Sequence, residues 1–160
     1  MMLSHILPYS FFAWCEATPI GYWLKQAMWG FATIETVHIM ALAVLLGTMV
    51  VVDLRLLGLG LKQMPVAELS ARLAPWFWVS LATMVLSGGC LFLGEAVHLA
   101  TSVPFAYKML FLLIAVLVHI TIHRRAITGG SGQHIAKLAA FVSLACWLGI
   151  ALAGRAIAFL

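Results

Sequence analysis

Glutamate precedes histidine by three residues twice in this chain, at Glu35-Thr36-Val37-His38 and at Glu95-Ala96-Val97-His98. Residues three or four apart on a helix share a face, so each pair presents a carboxylate and an imidazole together. Imidazole is well suited to haem iron and to transition metals. A third group is Lys108, Leu112, Ala115, His119 and His123. Its 4-3-4-4 spacing makes one helical stripe, with a lysine at one end and two histidines at the other. Arg124 and Arg125 follow directly. Four of the six histidines fall inside, or at the ends of, apolar runs long enough to cross a bilayer. Ionisable groups at membrane depth are costly and usually mark a functional site.

Three chemistries compete for these residues. In the first, haem b sits between facing histidines. His38 is then the first axial ligand, His98 its partner, and His119 or His123 serves a second haem. Lys108 or Arg124 receives propionates, and Ser87, Gly88 and Gly89 let the macrocycle approach the backbone. In the second, copper, iron or zinc binds to Glu35, His38, Glu95 and His98. A complete di-iron site also needs a glutamate on each of two further helices, and the later apolar runs carry none. In the third, the histidines are polar glue in a cofactor-free anchor subunit.

The elements that must position these groups are membrane spans. The chain has 160 residues, 64% hydrophobic and only 9% charged, against about 25% charged in soluble domains. Apolar runs cover about residues 31–52, 76–97, 104–122 and 138–158, each close to the ~20 residues a spanning helix needs. The pattern predicts an all-α, four-span membrane bundle forming a single domain. Residues 1–25 form an interfacial segment, rich in Trp and Tyr, with a short helix over about 8–17. Thr18 and Pro19 start a second helix that runs on into the first span. Pro75-Trp76-Phe77-Trp78 opens the second span. Counted from the inner span ends, His98 lies about 12 Å further out than His38 on straight helices.

Arg55, Lys62, Arg72, Arg124, Arg125 and Lys137 outnumber Lys25, Lys108 and Arg155 on the opposite side. This bias puts loops one and three in the cytoplasm and has both termini and the second loop face outward, which in a bacterial inner membrane is the periplasm. No basic residue precedes Lys25, so no cleavable signal peptide is expected. The loop cations read as topology signals and not as a nucleic-acid footprint. Cys15, Cys90 and Cys146 form no CxxC or CxxCH motif, and no nucleophile–base dyad or phosphate loop occurs. A redux of these features to chemistry points to a redox subunit more than to a stand-alone enzyme. Its partners are membrane lipid, quinone and a periplasmic redox protein. Small residues at Ser143, Gly149 and Gly154 suit a helix–helix interface, including one between subunits.

Several ordered motifs together carry a resemblance. They are Trp14-Cys15-Glu16-Ala17-Thr18-Pro19-Ile20-Gly21, Glu35-Thr36-Val37-His38, Asp53-Leu54-Arg55-Leu56-Leu57-Gly58, Pro75-Trp76-Phe77-Trp78, Ser87-Gly88, Leu91-Phe92-Leu93-Gly94-Glu95, Lys108-Met109 and His123. Over about residues 10–125 the chain resembles a bacterial family of small four-span inner-membrane proteins with an unknown-function label. The resemblance implies that Glu35, His38, Glu95, Lys108 and His123 are signature polar positions. It also implies that His98 and His119 are departures, replacing an aromatic and an asparagine. In layout the chain is loosely similar to b-type cytochrome subunits and copper-resistance membrane proteins, which is analogy only.

Overall fold

The computed structural model describes residues 8–60, 63–127 and 132–157, without the side chains of Ile122, His123 and Ala126. Lys62 therefore lies outside the described residues, as does the imidazole of His123. All regular structure among the described residues is helical. The elements are α1 (Tyr9–Glu16), α2 (Pro19–Gln26), α3 (Gly30–Leu56), α4 (Val66–Thr101) and α5 (Val103–Val118). A π turn (His119–His123) then leads to α6 (Arg124–Ile127) and α7 (Gln133–Ile157). Helices α3, α4, α5 with its extension to Thr121, and α7 are long and apolar enough to cross a membrane. A helix satisfies its backbone internally, which is what a hydrocarbon environment demands.

Local chemistry sets the boundaries. The Thr18 side chain accepts from the Gly21 amide at 3.3 Å, and Pro19 occupies the first helical position, as the sequence predicts. Ser102 does the same for α5, accepting from the Phe105 amide at 3.4 Å. After α3, Gly58 adopts φ +83°. The Leu59 amide then reaches Leu54 O and the Gly58 amide reaches Arg55 O, which closes a Schellman motif.

Two boundaries differ from expectation. Helix α2 does not run into the first span, because Ala27 turns extended (ψ 113°) and α3 restarts at Gly30. Helix α4 begins at Val66 and not at Trp76, leaving Pro75 inside it. Glu68 in its first turn and the Glu68–Arg72 pair at 2.8 Å support this early start.

The bundle interior joins Ala41, Leu45 and Met49 of α3 to Phe77 and Met84 of α4, Ala115 of α5, and Cys146, Trp147 and Ile150 of α7. Helix α3 packs mainly on α4, and α5 mainly on α7. Close approach needs small residues where lipid replaces water as the competitor. A Cβ on Gly149 would stand 3.2 Å from the Phe111 ring, so that glycine lets α5 and α7 meet. Ser143 is buried, and Gly154 packs under the Lys108 side chain. The small residues of the fourth span thus serve contacts within the chain. Leu86, Leu152, Val79 and Met40 point outward, as expected of a lipid-facing surface.

Candidate functional site

His38 is buried, one of few polar side chains in the bundle interior. Both of its ring nitrogens have partners on other helices. Nδ1 lies 2.9 Å from Ser87 Oγ of α4, and Nε2 lies 3.3 Å from Lys108 Nζ of α5. The Ser87 hydroxyl donates to Thr83 O at 2.6 Å. An ammonium can only donate, so Nε2 carries the lone pair and Nδ1–H donates to Ser87. The result is a directed chain from Lys108 through His38 and Ser87 to a backbone carbonyl. The tautomer follows from these partners.

Gly88 adjoins the imidazole. A Cβ there would stand 3.1 Å from His38 Cε1, so the glycine gives the ring its place between α3 and α4. Lys108 reaches across from α5, its alkyl stem resting on Gly154 of α7. Among the described residues it has no carboxylate within ion-pair distance. Four helices therefore converge on a cation and a neutral imidazole. Phe92 of α4 and Phe105 of α5 stack beside this region with centroids 5.8 Å apart.

The other predicted ligands do not assemble here. Glu35 is exposed and forms no ion pair with His38. Glu95 faces its own helix neighbour His98 at 4.0 Å, with both side chains about half exposed, and not Lys108. His98 lies eleven residues beyond Ser87, about 16 Å along a helix, so the two ExxH motifs do not converge. No group of three or more His, Cys, Asp or Glu gathers among the described residues. His119 sits at the far end of α5, in the π turn, stacked on Phe77 with centroids 4.3 Å apart. The stripe from Lys108 to His119 runs through regular α-helix, and the π turn breaks it only beyond His119. Arg124 is exposed in α6.

A second feature explains the first motif of the chain. Inside α4, Glu95 leaves helical geometry (φ −136°, ψ 32°) and kinks the helix. The Val97 amide beyond the kink donates to Glu16 Oε1 at 2.8 Å, and Glu16 also binds Lys25 of α2. Gly21 lies against Leu93 O, which a Cβ at that position would approach to 2.5 Å. Phe12 and Cys15 of α1 pack on Ala96 and Ala100 of the kinked segment. The hairpin of α1 and α2 is thus a clamp on the α4 kink. Burial pushes the Glu16 carboxyl up, but the Lys25 and Val97 hydrogen bonds outweigh it and leave the group below its ordinary value.

Sequence reasoning placed His38 and Lys108 at functional positions but missed that they meet. It read Ser87 and Gly88 only as room for a macrocycle, and gave Glu16 no part in holding α4. The spacing of Ser87 and Thr83, one turn apart, was the available signal for the polar seam on α4.

Helical spans without strands, and a polar chain linking three of them at membrane depth, define a four-helix membrane protein with a buried cation–imidazole site. The chain belongs to the family of unknown function DUF6644, whose model matches residues 11–160. The match includes the fourth span, which the motif resemblance had left out. No curated protein and no solved structure matches the chain.

Proposed function

We propose that this protein binds haem b through His38 and serves as an electron-transfer subunit of a bacterial inner membrane. It would connect quinol to a redox partner on the side of the termini, which the loop charges assign to the periplasm. The observation that carries the reading is how His38 is held. Ligating histidines ordinarily donate their other ring N–H to a fixed partner, which sets the tautomer and orients the lone pair. Ser87 does this at Nδ1, leaving Nε2 directed at Lys108.

Lys108 supports one of the candidate ligands over the other. A bare divalent ion beside an ammonium is repelled, whereas a cofactor carrying carboxylates is attracted. The cation therefore favours a haem, with Lys108 holding a propionate, over an ion on the ExxH motifs. Helix α5 packs along α7 and reaches His38 and Phe92 through side chains, so a group entering between α5 and the α3–α4 pair would meet His38 and Lys108 together. Haem, when bound, supplies one-electron exchange. The protein's share is the ligand, its orientation by Ser87 and the counter-charge.

The visible spectrum of the purified protein tests this reading. A Soret band and a reduced b-type α-band support it. A colourless preparation containing stoichiometric copper, zinc or iron transfers the assignment to a metal ion. A colourless, metal-free preparation leaves an anchor subunit whose polar chain fixes helix register.

A further inference from the structure

A small cavity, lined more by apolar than by polar side chains, lies at the other end of the bundle, where α3 carries Arg55 and α6 carries Arg124 and Arg125. Thr48 of α3, Ser70 of α4 and His119 are the polar residues of its lining, and Met49, Val52, Leu73, Ala74, Phe77 and Trp78 complete it. The volume is about 40 Å³. One water needs roughly 10–15 Å³ by this measure and two to four polar partners. The cavity is therefore sized for two or three waters and too small for a quinone ring. The Thr48 and Ser70 hydroxyls and the imidazole supply polar partners. Helix α5 departs from α-helical geometry at this point, in a π turn that begins with His119. Such turns recur at functional sites.

We infer that this cavity holds a small water cluster and that His119 is its proton-accepting group, giving the basic end of the bundle a proton-binding site. The His119 ring stacks on Phe77 at 4.3 Å and meets Trp78 edge-on at 6.3 Å. Among the described residues, charged groups at this end of the bundle come from four helices. Helix α3 contributes the buried Asp53 and the partly buried Arg55, whose Nε donates to Met64 O at 2.9 Å. Helix α4 contributes Glu68 and Arg72, bound to each other. Helix α6 contributes Arg124 and Arg125, and α7 the exposed His134 and Lys137. The site is separate from the His38–Lys108 chain. Leu45, Met84 and Ile150, all buried, fill the interior between the two. The inference is independent of whether haem is bound.

Two measurements test it. Met49 and Met84 are almost equally buried, at 3% and 4% exposure, but only Met49 lines the cavity. Brief hydroxyl-radical labelling in detergent should oxidise Met49 several-fold faster than Met84, since bound water is the source of the radical. Equal rates overturn the water cluster. Indole emission followed over about pH 5 to 8, where imidazole ordinarily changes charge, should fall reversibly as the pH drops, because imidazolium quenches Trp78. The change should vanish in His119→Gln and, as a variant that leaves the imidazole in place, in Trp78→Phe. It should persist in His38→Gln. A flat profile in the native protein, or an undiminished transition in His119→Gln, overturns the assignment of His119.

Discussion

Lys108 Nζ stands 3.3 Å from His38 Nε2, although seventy positions separate the two residues. Neither faces a carboxylate in this contact. The ammonium uses the imidazole lone pair as its acceptor, and Ser87 completes the arrangement from a third helix. A ligand that takes the lone pair and offers an anion to the ammonium satisfies both groups at once.

The His38 ring should be the most sensitive position for pigment. His38→Ala should abolish the Soret band, while Ser87→Ala should retain a weakened one. Loss of an orienting partner typically costs about ten- to a hundredfold in affinity. Haem titration into the apoprotein measures both, and full retention of haem by His38→Ala removes His38 as ligand.

Lys108→Met should loosen haem binding without eliminating it, because the coordinating nitrogen remains. Lys108→Arg should restore much of the affinity, since an Arg guanidinium also pairs with carboxylates. An affinity unchanged in Lys108→Met would show that no propionate lies at this position.

Gly88→Val should displace the His38 ring, because even the first added carbon stands 3.1 Å from Cε1. Overpacking of this kind costs about 1–3 kcal/mol. Thermal unfolding in detergent should show a lower midpoint than Gly89→Val, whose Cβ meets nothing within 4 Å.

The clamp at the α4 kink makes a pH-dependent contribution. The folded Glu16 carboxyl is lowered, so its stabilisation is present above the ordinary carboxylate range and is lost as pH falls through the lowered folded value. Glu16→Gln should flatten the acid limb of the stability profile. It also weakens the acceptor of the Val97 amide, whose loss as a satisfied donor would cost about 1–3 kcal/mol. Chemical denaturation at pH 7 and pH 4 distinguishes the two: the native protein should lose more on acidification than the variant.

Gly21→Ala attacks the same clamp from the other side. Its Cβ would stand 2.5 Å from Leu93 O, a backbone atom that cannot swing away. Protease cleavage within residues 9–26 should accelerate as the hairpin of α1 and α2 lifts from α4. An unchanged cleavage rate would show that the hairpin is held independently of this contact.

Much of this molecule was legible in its sequence. Long apolar runs admit little besides spanning helices, since backbone groups in hydrocarbon must pair within their own segment. Thr18-Pro19 marked a helix start through capping chemistry that acts over three residues. These features are local, and local spacing determines them.

What tertiary structure decided is which of the polar residues meet. Helical spacing paired Glu35 with His38 on one face, yet burial separates them: the imidazole turns into the bundle and the carboxylate stays outside. The partners of His38 are 49 and 70 residues away, set by how three helices pack. The kink at Glu95 and the π turn at His119 shift every later side chain relative to an ideal helix. No periodicity in the sequence encodes those shifts; at the kink, a side chain 81 residues away, Glu16, takes the Val97 amide that a regular helix would keep to itself.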